Sequence, residues 1–194
     1  RLDEAHRRSA DTFGRHKGVG DHVGHMVPNE VSNRQYGRLA QTETFFMSNM
    51  SPQNGRLNGG LWLKLEDKIR KIETTPDKDH MWAIAGPIFG ETPSIITRDG
   101  EIEVPIPEAY YYVTVDPFRY PWDRESNVDQ VNFILTQDDP SSKPLEKCLV
   151  DLEKVEQRTR LKFFPGWDHS IAFTQGDEDP RNPSQRHRLL RQLR

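Results

Sequence analysis

Cysteine and long apolar runs are scarce in this chain. Cys148 is the single cysteine among 194 residues, so an intramolecular disulfide is impossible and a cysteine-based zinc site is excluded. No apolar stretch approaches the roughly 18–20 residues that a membrane-spanning helix needs, and we expect no membrane partner. The chain opens RLDEAHRRSA, without an initiator methionine or a signal-peptide pattern, which predicts a processing point or an expression boundary at its start.

Excess positive charge is also missing. The formal net charge is −3, whereas a protein that binds nucleic acid through its whole surface is usually basic. Contacts with phosphate would therefore depend on local clusters, such as residues 181–194, which contain five arginines and no acidic residue. The length suits one domain with its own core. We predict a single domain over residues 1–173 and a charged surface tail over residues 174–194.

The chain does contain clear strand and helix patterns. The three- and four-residue spacing of a helix recurs in Leu61, Leu65, Ile69 and Ile72, and Asn58 precedes them as a candidate N-cap. Short apolar and β-branched runs predict strands, of which the one at 80–90 should be buried. Together the elements indicate an α+β fold with an antiparallel sheet and helices on its faces. The predicted helices are 59–72 and 145–161, and the predicted strands lie within 20–28, 43–53, 80–90, 109–116 and 131–137.

The first predicted helix carries a four-residue pattern of its own. Asn58, Trp62, Glu66 and Arg70 would form a slowly drifting ridge on an α-helix, because each step of four turns only about 40° around the axis. The same residues also fit an N-cap followed by an ordinary Glu–Arg pair. The spacing alone therefore does not identify a site.

Two histidines precede this helix. His22 and His25 are three residues apart, which places their rings on opposite faces of a strand and disfavours a shared zinc site. The HExxH pattern of metalloproteases is absent. On these grounds either histidine could equally be structural.

Three segments taken together resemble a known family. GHMVP at 24–28, SNMSPQ at 48–53 and LNGGLWLKLE at 57–66 have the order and close spacing of the DNA/RNA non-specific endonucleases. This ββα-metal group includes mitochondrial endonuclease G and secreted bacterial nucleases. The resemblance implies a central antiparallel sheet flanked by helices, and a magnesium-dependent endonuclease with little sequence or sugar specificity. It covers about residues 20–165 and continues in later segments at 82–89, 106–116 and 150–165.

The resemblance also implies roles for single residues. His25 takes the position of the general base that activates water, and Asn58 that of the only direct protein ligand of Mg²⁺, for which Mn²⁺ should substitute. Glu66 takes the position of a carboxylate that contacts the metal through water, and Arg70 that of an arginine close to the substrate phosphates. These roles suit the chemistry, because Mg²⁺ is usually held by few protein ligands and a neutral imidazole accepts protons near pH 7.

The chain departs from the family at one position beside the base. The family usually shows Asp-Arg-Gly-His, whereas His22 and Val23 stand here where the aspartate and arginine would be. Arg70, Arg56 and His22 are candidates to replace the missing charge, and Arg70 is favoured by its place on the predicted ridge. Four residues are expected around the substrate, the last two as supports that position the site: Arg56, His22, Asn49 and Gln53.

The sequence leaves other functions open. The missing arginine favours a nuclease-fold protein that binds nucleic acid with weak or no cleavage. A phosphodiesterase or phosphatase for small phosphate esters, or a purely structural domain, are further alternatives. We expect DNA and RNA as substrates, a homodimer as one option for assembly, and a secreted, periplasmic or organellar location rather than the cytosol. The biological role is not determined, because one fold serves many functions.

Overall fold

The computed structural model describes residues 22–73, 81–96, 103–116 and 129–165. The predicted tail at 174–194 lies outside the described residues. Contacts within the chain define two compact units. The first takes the chain up to Leu63 with Pro87–Tyr110 and Thr136–Ser142, and the second takes Lys64–Gly86, Tyr111–Leu135 and the chain from Lys143 onward. The single domain over 1–173 stays a prediction.

The first unit is built on a pair of short antiparallel strands. Strand β1 (His22–His25) pairs with strand β2 (Met50–Gln53), and the register sets His22 opposite Gln53 and His25 opposite Met50. The chain between them forms helices α1 (Asn29–Tyr36) and α2 (Arg38–Glu43). The predicted strand within 20–28 is thereby confirmed.

The strand predicted within 43–53 is mostly wrong. Only its last four residues form β2, and a 3₁₀ turn at Met47–Asn49 precedes them. Phe45 and Phe46, which made this run look like a strand, are exposed. The Asn49 side chain bonds to backbone groups of Thr44 and Val27, and such local bonds favour turns over strands.

A small apolar cluster lies beside this strand pair. Strands β4 (Ile95–Ile96) and β5 (Val104–Pro105) pair antiparallel. Ile96 and Val104 pack with Met50 of β2, and partly buried apolar side chains complete the cluster: Val23, Met47 and Ile106. The cluster is the core of this part of the first unit.

The helix that follows β2 begins earlier than predicted. Helical backbone starts at Gly55 and continues through a π-helical turn, Leu57–Trp62, into α3 (Leu63–Glu73). Asn54 is the N-cap, because its Oδ1 accepts a hydrogen bond of 2.9 Å from the Arg56 N–H. The Asn58 N–H donates to the Asn54 carbonyl at 2.9 Å, so Asn58 lies inside the first turn. The N-cap prediction for Asn58 is therefore wrong, while the predicted helix itself is confirmed.

The π-helical turn changes the spacing of side chains around the axis. A π-helix closes bonds between residues five apart, so four residues no longer complete the step expected of an α-helix. Trp62 is buried and meets the ring of Tyr110 at 5.6 Å between centroids. The ridge of Asn58, Trp62, Glu66 and Arg70 stays a prediction. Single π-turns of this kind are frequent at functional sites.

The second unit contains most of a four-stranded sheet. Its strands are β3 (Trp82–Ile88), β6 (Ala109–Asp116), β7 (Asp129–Thr136) and β8 (Leu149–Val150), in the order β3-β6-β7-β8. β7 and β8 are antiparallel, with Phe133 opposite Leu149. The predictions for β6 and β7 are confirmed. The mixture of helices and antiparallel strands confirms the α+β class.

Two predictions in the second unit need correction. β3 is not fully buried, because it lies at the edge of the sheet and exposes Trp82 and Ile84. The helix predicted at 145–161 is shorter: a 3₁₀ turn, Leu145–Cys148, and β8 precede α4 (Leu152–Thr159). Pairing of β8 with β7 overrides the helical pattern there. No helix in the described part of the chain is long and apolar enough to cross a membrane.

Candidate active site

The two histidines of β1 lie on opposite faces of the strand, as their spacing predicts. His22 is exposed and pairs across the strands with the buried Gln53. His25 is half-buried and pairs with Met50. Because successive residues of a strand alternate between faces, the two rings do not share a site.

His25 has a buried ring nitrogen without a hydrogen-bond partner among the described residues. This nitrogen, Nε2, is shielded from solvent. The edge of Phe45 packs against the ring, with centroids 5.2 Å apart and the planes at 84°. Burial lowers the pKa of His25 below its usual 6.5. The imidazole is therefore neutral near pH 7, with a nitrogen able to accept a proton.

Asn49 fixes the chain that follows His25. Its Oδ1 accepts a hydrogen bond of 2.8 Å from the Val27 N–H, and its Nδ2 donates to the Val27 carbonyl at 3.1 Å. The same amide nitrogen donates to the Thr44 carbonyl at 2.9 Å. The Met26 N–H donates to the backbone carbonyl of Asn49 at 3.0 Å. These bonds suit the supporting role expected for Asn49.

Asn58 contacts His22, and it makes no hydrogen bond to His25. Nδ2 of Asn58 lies 3.3 Å from Nδ1 of His22. In this arrangement the amide nitrogen donates to the imidazole, and the Asn58 Oδ1 has no partner in the described structure. The half-buried amide thus presents an oxygen that can bind a cation.

Gln53 is fully buried, and both polar atoms of its amide lack a hydrogen-bond partner among the described residues. Its side chain occupies the space over Gly24, where an added Cβ would lie 1.9 Å from Oε1. Glycine at 24 is therefore required for this packing, next to His25. Complete burial favours a positioning role for Gln53 over direct contact with a polymeric substrate.

Gln137 organises the junction between β2 and the helix, and the sequence analysis missed it. Its Oε1 accepts a hydrogen bond of 2.7 Å from the N–H of Asn54, the N-cap. Its Nε2 lies 2.9 Å from the Pro52 carbonyl, 3.0 Å from the Pro107 carbonyl and 3.2 Å from the Tyr110 hydroxyl. The only sequence signal was a glutamine directly after a buried strand.

The Tyr110 hydroxyl completes this buried network. It donates to the Pro52 carbonyl and lies 3.2 Å from the Ser51 hydroxyl. Burial raises the pKa of Tyr110 far above its ordinary value of 10, so the hydroxyl stays a donor. The backbone that leads to Asn58 is thereby held by side chains distant in sequence.

The remaining residues that the sequence predicts for the site belong to both units. Arg56 is exposed in the first helical turn, two residues before Asn58. Glu66 and Arg70 lie on α3 in the second unit, where Arg70 Nη2 bonds to Asp67 Oδ1 at 2.8 Å. Val23, at the family's arginine position, packs against the apolar cluster of the first unit.

The chain matches the sequence profile of the DNA/RNA non-specific endonuclease family over residues 4–170. The mitochondrial nuclease EXOG of Homo sapiens is 28% identical over 166 residues, covering 79% of this chain and 42% of the relative. The Danio rerio protein of that name is 33% identical over 160 residues, covering 73% and 42%. A nuclease of Serratia marcescens is 26% identical over 125 residues, covering 62% and 43%.

The fold is shared with a solved structure, that of EndoG in complex with EndoGI. The TM-score is 0.61 at 23% identity, with 80% of this chain and 63% of the other covered. This likeness confirms the predicted ββα-metal nuclease fold. The chain spans about two fifths of the length of the EXOG relatives, which are matched over 42%. By its profile match over most of its length, this chain belongs to the DNA/RNA non-specific endonuclease family.

Proposed function

We propose that this chain is a Mg²⁺-dependent endonuclease that hydrolyses phosphodiester bonds in DNA and RNA with little sequence or sugar preference. The observation that carries the proposal is the Nε2 atom of His25, which is shielded from solvent and has no hydrogen-bond partner among the described residues. The resemblance to the family assigns His25 the role of the base. A buried nitrogen without a partner is costly in a folded protein, and such groups call for a functional explanation.

His25 acts as the general base in this proposal. The neutral imidazole takes a proton from a water molecule while the water oxygen attacks phosphorus and the bond to the leaving 3′-oxygen breaks. The lowered pKa of His25 keeps the ring unprotonated at neutral pH, ready for this transfer. The edge contact with Phe45 and the bonds from Asn49 to Val27 limit the movement of the ring and of the chain beyond it.

Asn58 supports metal binding through its oxygen. Its Nδ2 is engaged with His22, which leaves Oδ1 open to a cation. A single amide suits Mg²⁺, which retains several waters and is usually held by few protein ligands. A divalent cation at this position would stabilise the negative charge that develops on the phosphate and the leaving oxygen. Mn²⁺ should substitute for Mg²⁺. We propose that Glu66 contacts the metal through a water molecule and that Arg70 contacts a substrate phosphate.

A plasmid-nicking assay and an RNA-degradation assay, each with and without EDTA, test this function. We expect Mg²⁺-dependent cleavage of both polymers and its loss on chelation. Arg34→Ala is a suitable surface control, because among the described residues Arg34 bonds to the exposed Glu30 in α1. Binding of both polymers without cleavage at any metal concentration would favour the alternative, a nuclease-fold protein that binds nucleic acid.

The cellular setting follows from the relatives only as a proposal. The EXOG proteins of Homo sapiens and Danio rerio are named as mitochondrial. We propose a secreted, periplasmic or organellar location rather than the cytosol, with a homodimer as one option for assembly. Light scattering of the purified chain measures the assembly, and cell fractionation the location.

A further inference from the structure

His22 stands beside the proposed metal ligand, at a position where the family pattern has an aspartate. Its Nδ1 lies 3.3 Å from Nδ2 of Asn58. We propose that His22 is a second protein ligand, so that this chain holds its divalent ion between an imidazole and an amide. Such a site prefers first-row transition ions to Mg²⁺. The inference rests on the proposed function, in which Asn58 binds the metal.

The separation of the two side chains fits two ligands of one ion. Two ligand atoms that each lie about 2.1 Å from an ion are about 3.0 Å apart in octahedral geometry and about 3.4 Å apart in tetrahedral geometry. The His22–Asn58 separation of 3.3 Å falls between these values. A half-turn of the Asn58 amide about its last bond exchanges Nδ2 for Oδ1. In the proposed two-ligand site Oδ1 then replaces Nδ2 beside His22 without any change in the backbone, and the hydrogen bond between the two side chains is lost.

The first helical turn is shaped to accept the His22 ring. A Cβ added to Gly55 would lie 2.7 Å from Nε2 and 2.9 Å from Cδ2 of His22. Glycine at 55 therefore lets the imidazole lie against the helix, within reach of Asn58. A Cβ added to Gly59, on the same helix, meets nothing within 4 Å. The two glycines provide a matched pair for testing the position of the ring.

The chemistry of an imidazole distinguishes this site from an amide alone. Imidazole nitrogen suits transition ions, whereas Mg²⁺ prefers oxygen ligands and keeps its waters. A second ligand also allows the ion to bind before nucleic acid arrives. His22 is exposed, so the remaining coordination positions stay open to water and to a substrate phosphate.

Titration of the intact chain with Co²⁺ alone, followed by visible absorption, tests the proposal without any substrate. We expect His22→Ala to weaken Co²⁺ binding about 10–100-fold, the range seen when metal-site contacts are removed, and Asn58→Ala to do the same. Mg²⁺ affinity should change far less in His22→Ala. Gly55→Ala should weaken Co²⁺ binding, whereas Gly59→Ala should not.

Pulsed EPR of the Mn²⁺-loaded chain gives a direct readout of the ligand. We expect coupling to an imidazole nitrogen in the wild type and its loss in His22→Ala. Circular dichroism checks that each variant folds, and His22→Asn replaces His22→Ala if the latter does not. Equal Co²⁺ affinity in the wild type and the His22 variant, or equal effects of the two glycine variants, would overturn the proposal.

The experiments distinguish failure of the His22 ligand proposal from failure of the proposed nuclease function. Mg²⁺-dependent cleavage together with unchanged Co²⁺ binding in the His22 variant overturns the second ligand and leaves the nuclease intact. Co²⁺ binding that requires both His22 and Asn58, in a chain that cleaves neither polymer, supports the site and overturns the nuclease.

Discussion

The ring of His25 combines partial burial with a nitrogen that has no hydrogen-bond partner among the described residues. Losing a general base usually lowers turnover about 10²–10⁴-fold, and we expect this range for His25→Ala. Because burial disfavours the charged ring, its pKa lies below 6.5, and cleavage should fall with decreasing pH only below that value. Initial rates of plasmid cleavage from about pH 5 to about pH 9 measure both effects. Near-full activity of the variant at about pH 8, where a histidine with its ordinary pKa is unprotonated, would remove His25 from the mechanism.

Asn58 and Glu66 should differ in how much each contributes. We expect Asn58→Ala to abolish metal-dependent cleavage, because the amide oxygen contacts the ion directly in the proposed site. Glu66→Ala should weaken cleavage less, because its contact is through water. Steady-state rates over a Mn²⁺ titration provide the comparison. A crystal soaked in Mn²⁺ that shows the ion bound away from Asn58 would contradict this assignment.

Val23 occupies the position at which the family has an arginine beside the base, and Arg70 is the proposed replacement for its charge. A cation preorganised for the developing charge contributes several kcal/mol to catalysis, and Arg70 is the proposed substitute. We expect Arg70→Ala to lower turnover at least tenfold, with Arg34→Ala as the control. Val23→Arg should instead reduce stability, because Val23 packs against the apolar cluster and an unpaired charge there is costly. Wild-type turnover in Arg70→Ala would place the compensating cation elsewhere.

At the scale of elements, Gln137 joins three parts of the first unit. It bonds to Asn54 at the helix start, to Pro52 at the end of β2 and to Pro107 before β6. Gln137→Leu would remove this partner from the Asn54 N–H and the Pro107 carbonyl, each at a cost of about 1–3 kcal/mol, whereas the Pro52 carbonyl keeps its bond from the Tyr110 hydroxyl. We therefore expect a lower melting temperature and weaker cleavage by the folded variant. Unchanged thermal stability would contradict the anchoring role.

Some of the elements could be predicted from the local sequence pattern alone. The runs at β6 and β7 are buried along most of their length, so their apolar and β-branched residues identify them directly. The run around Phe45 and Phe46 looked equally apolar but is exposed, and only Asn49 and its bonds explain the turn. The edge position of β3 explains the exposure of Trp82, and the sequence contains no sign of strand order.

At the scale of the whole molecule, the net charge of −3 bears on substrate binding. Contacts with phosphates should come from few basic side chains, and each releases counterions on binding. We expect cleavage at low substrate concentration to fall steeply between about 50 mM and 200 mM salt. DNA and RNA should be cleaved at similar rates, because the proposed site contacts phosphate and metal rather than the base or the 2′-hydroxyl. A thousandfold preference for either polymer, or cleavage insensitive to salt, would contradict this.

The sequence by itself determined the family and the candidate residues. The ordered segments around His25, Asn49 and Asn58 identify the endonuclease family, and the profile match confirms it. The helix after Gln53 could also be predicted, because the spacing of its apolar residues is a local property of the sequence. The roles of the single residues stay predictions.

Only the tertiary structure decided how these residues meet. The contact of Asn58 with His22 spans 36 positions, and that of Asn54 with Gln137 spans 83. Trp62, in the π-helical turn, likewise packs against Tyr110, which lies 48 positions further along the chain. Such contacts depend on how distant segments pack and satisfy buried polar groups, and local propensity carries no information about either.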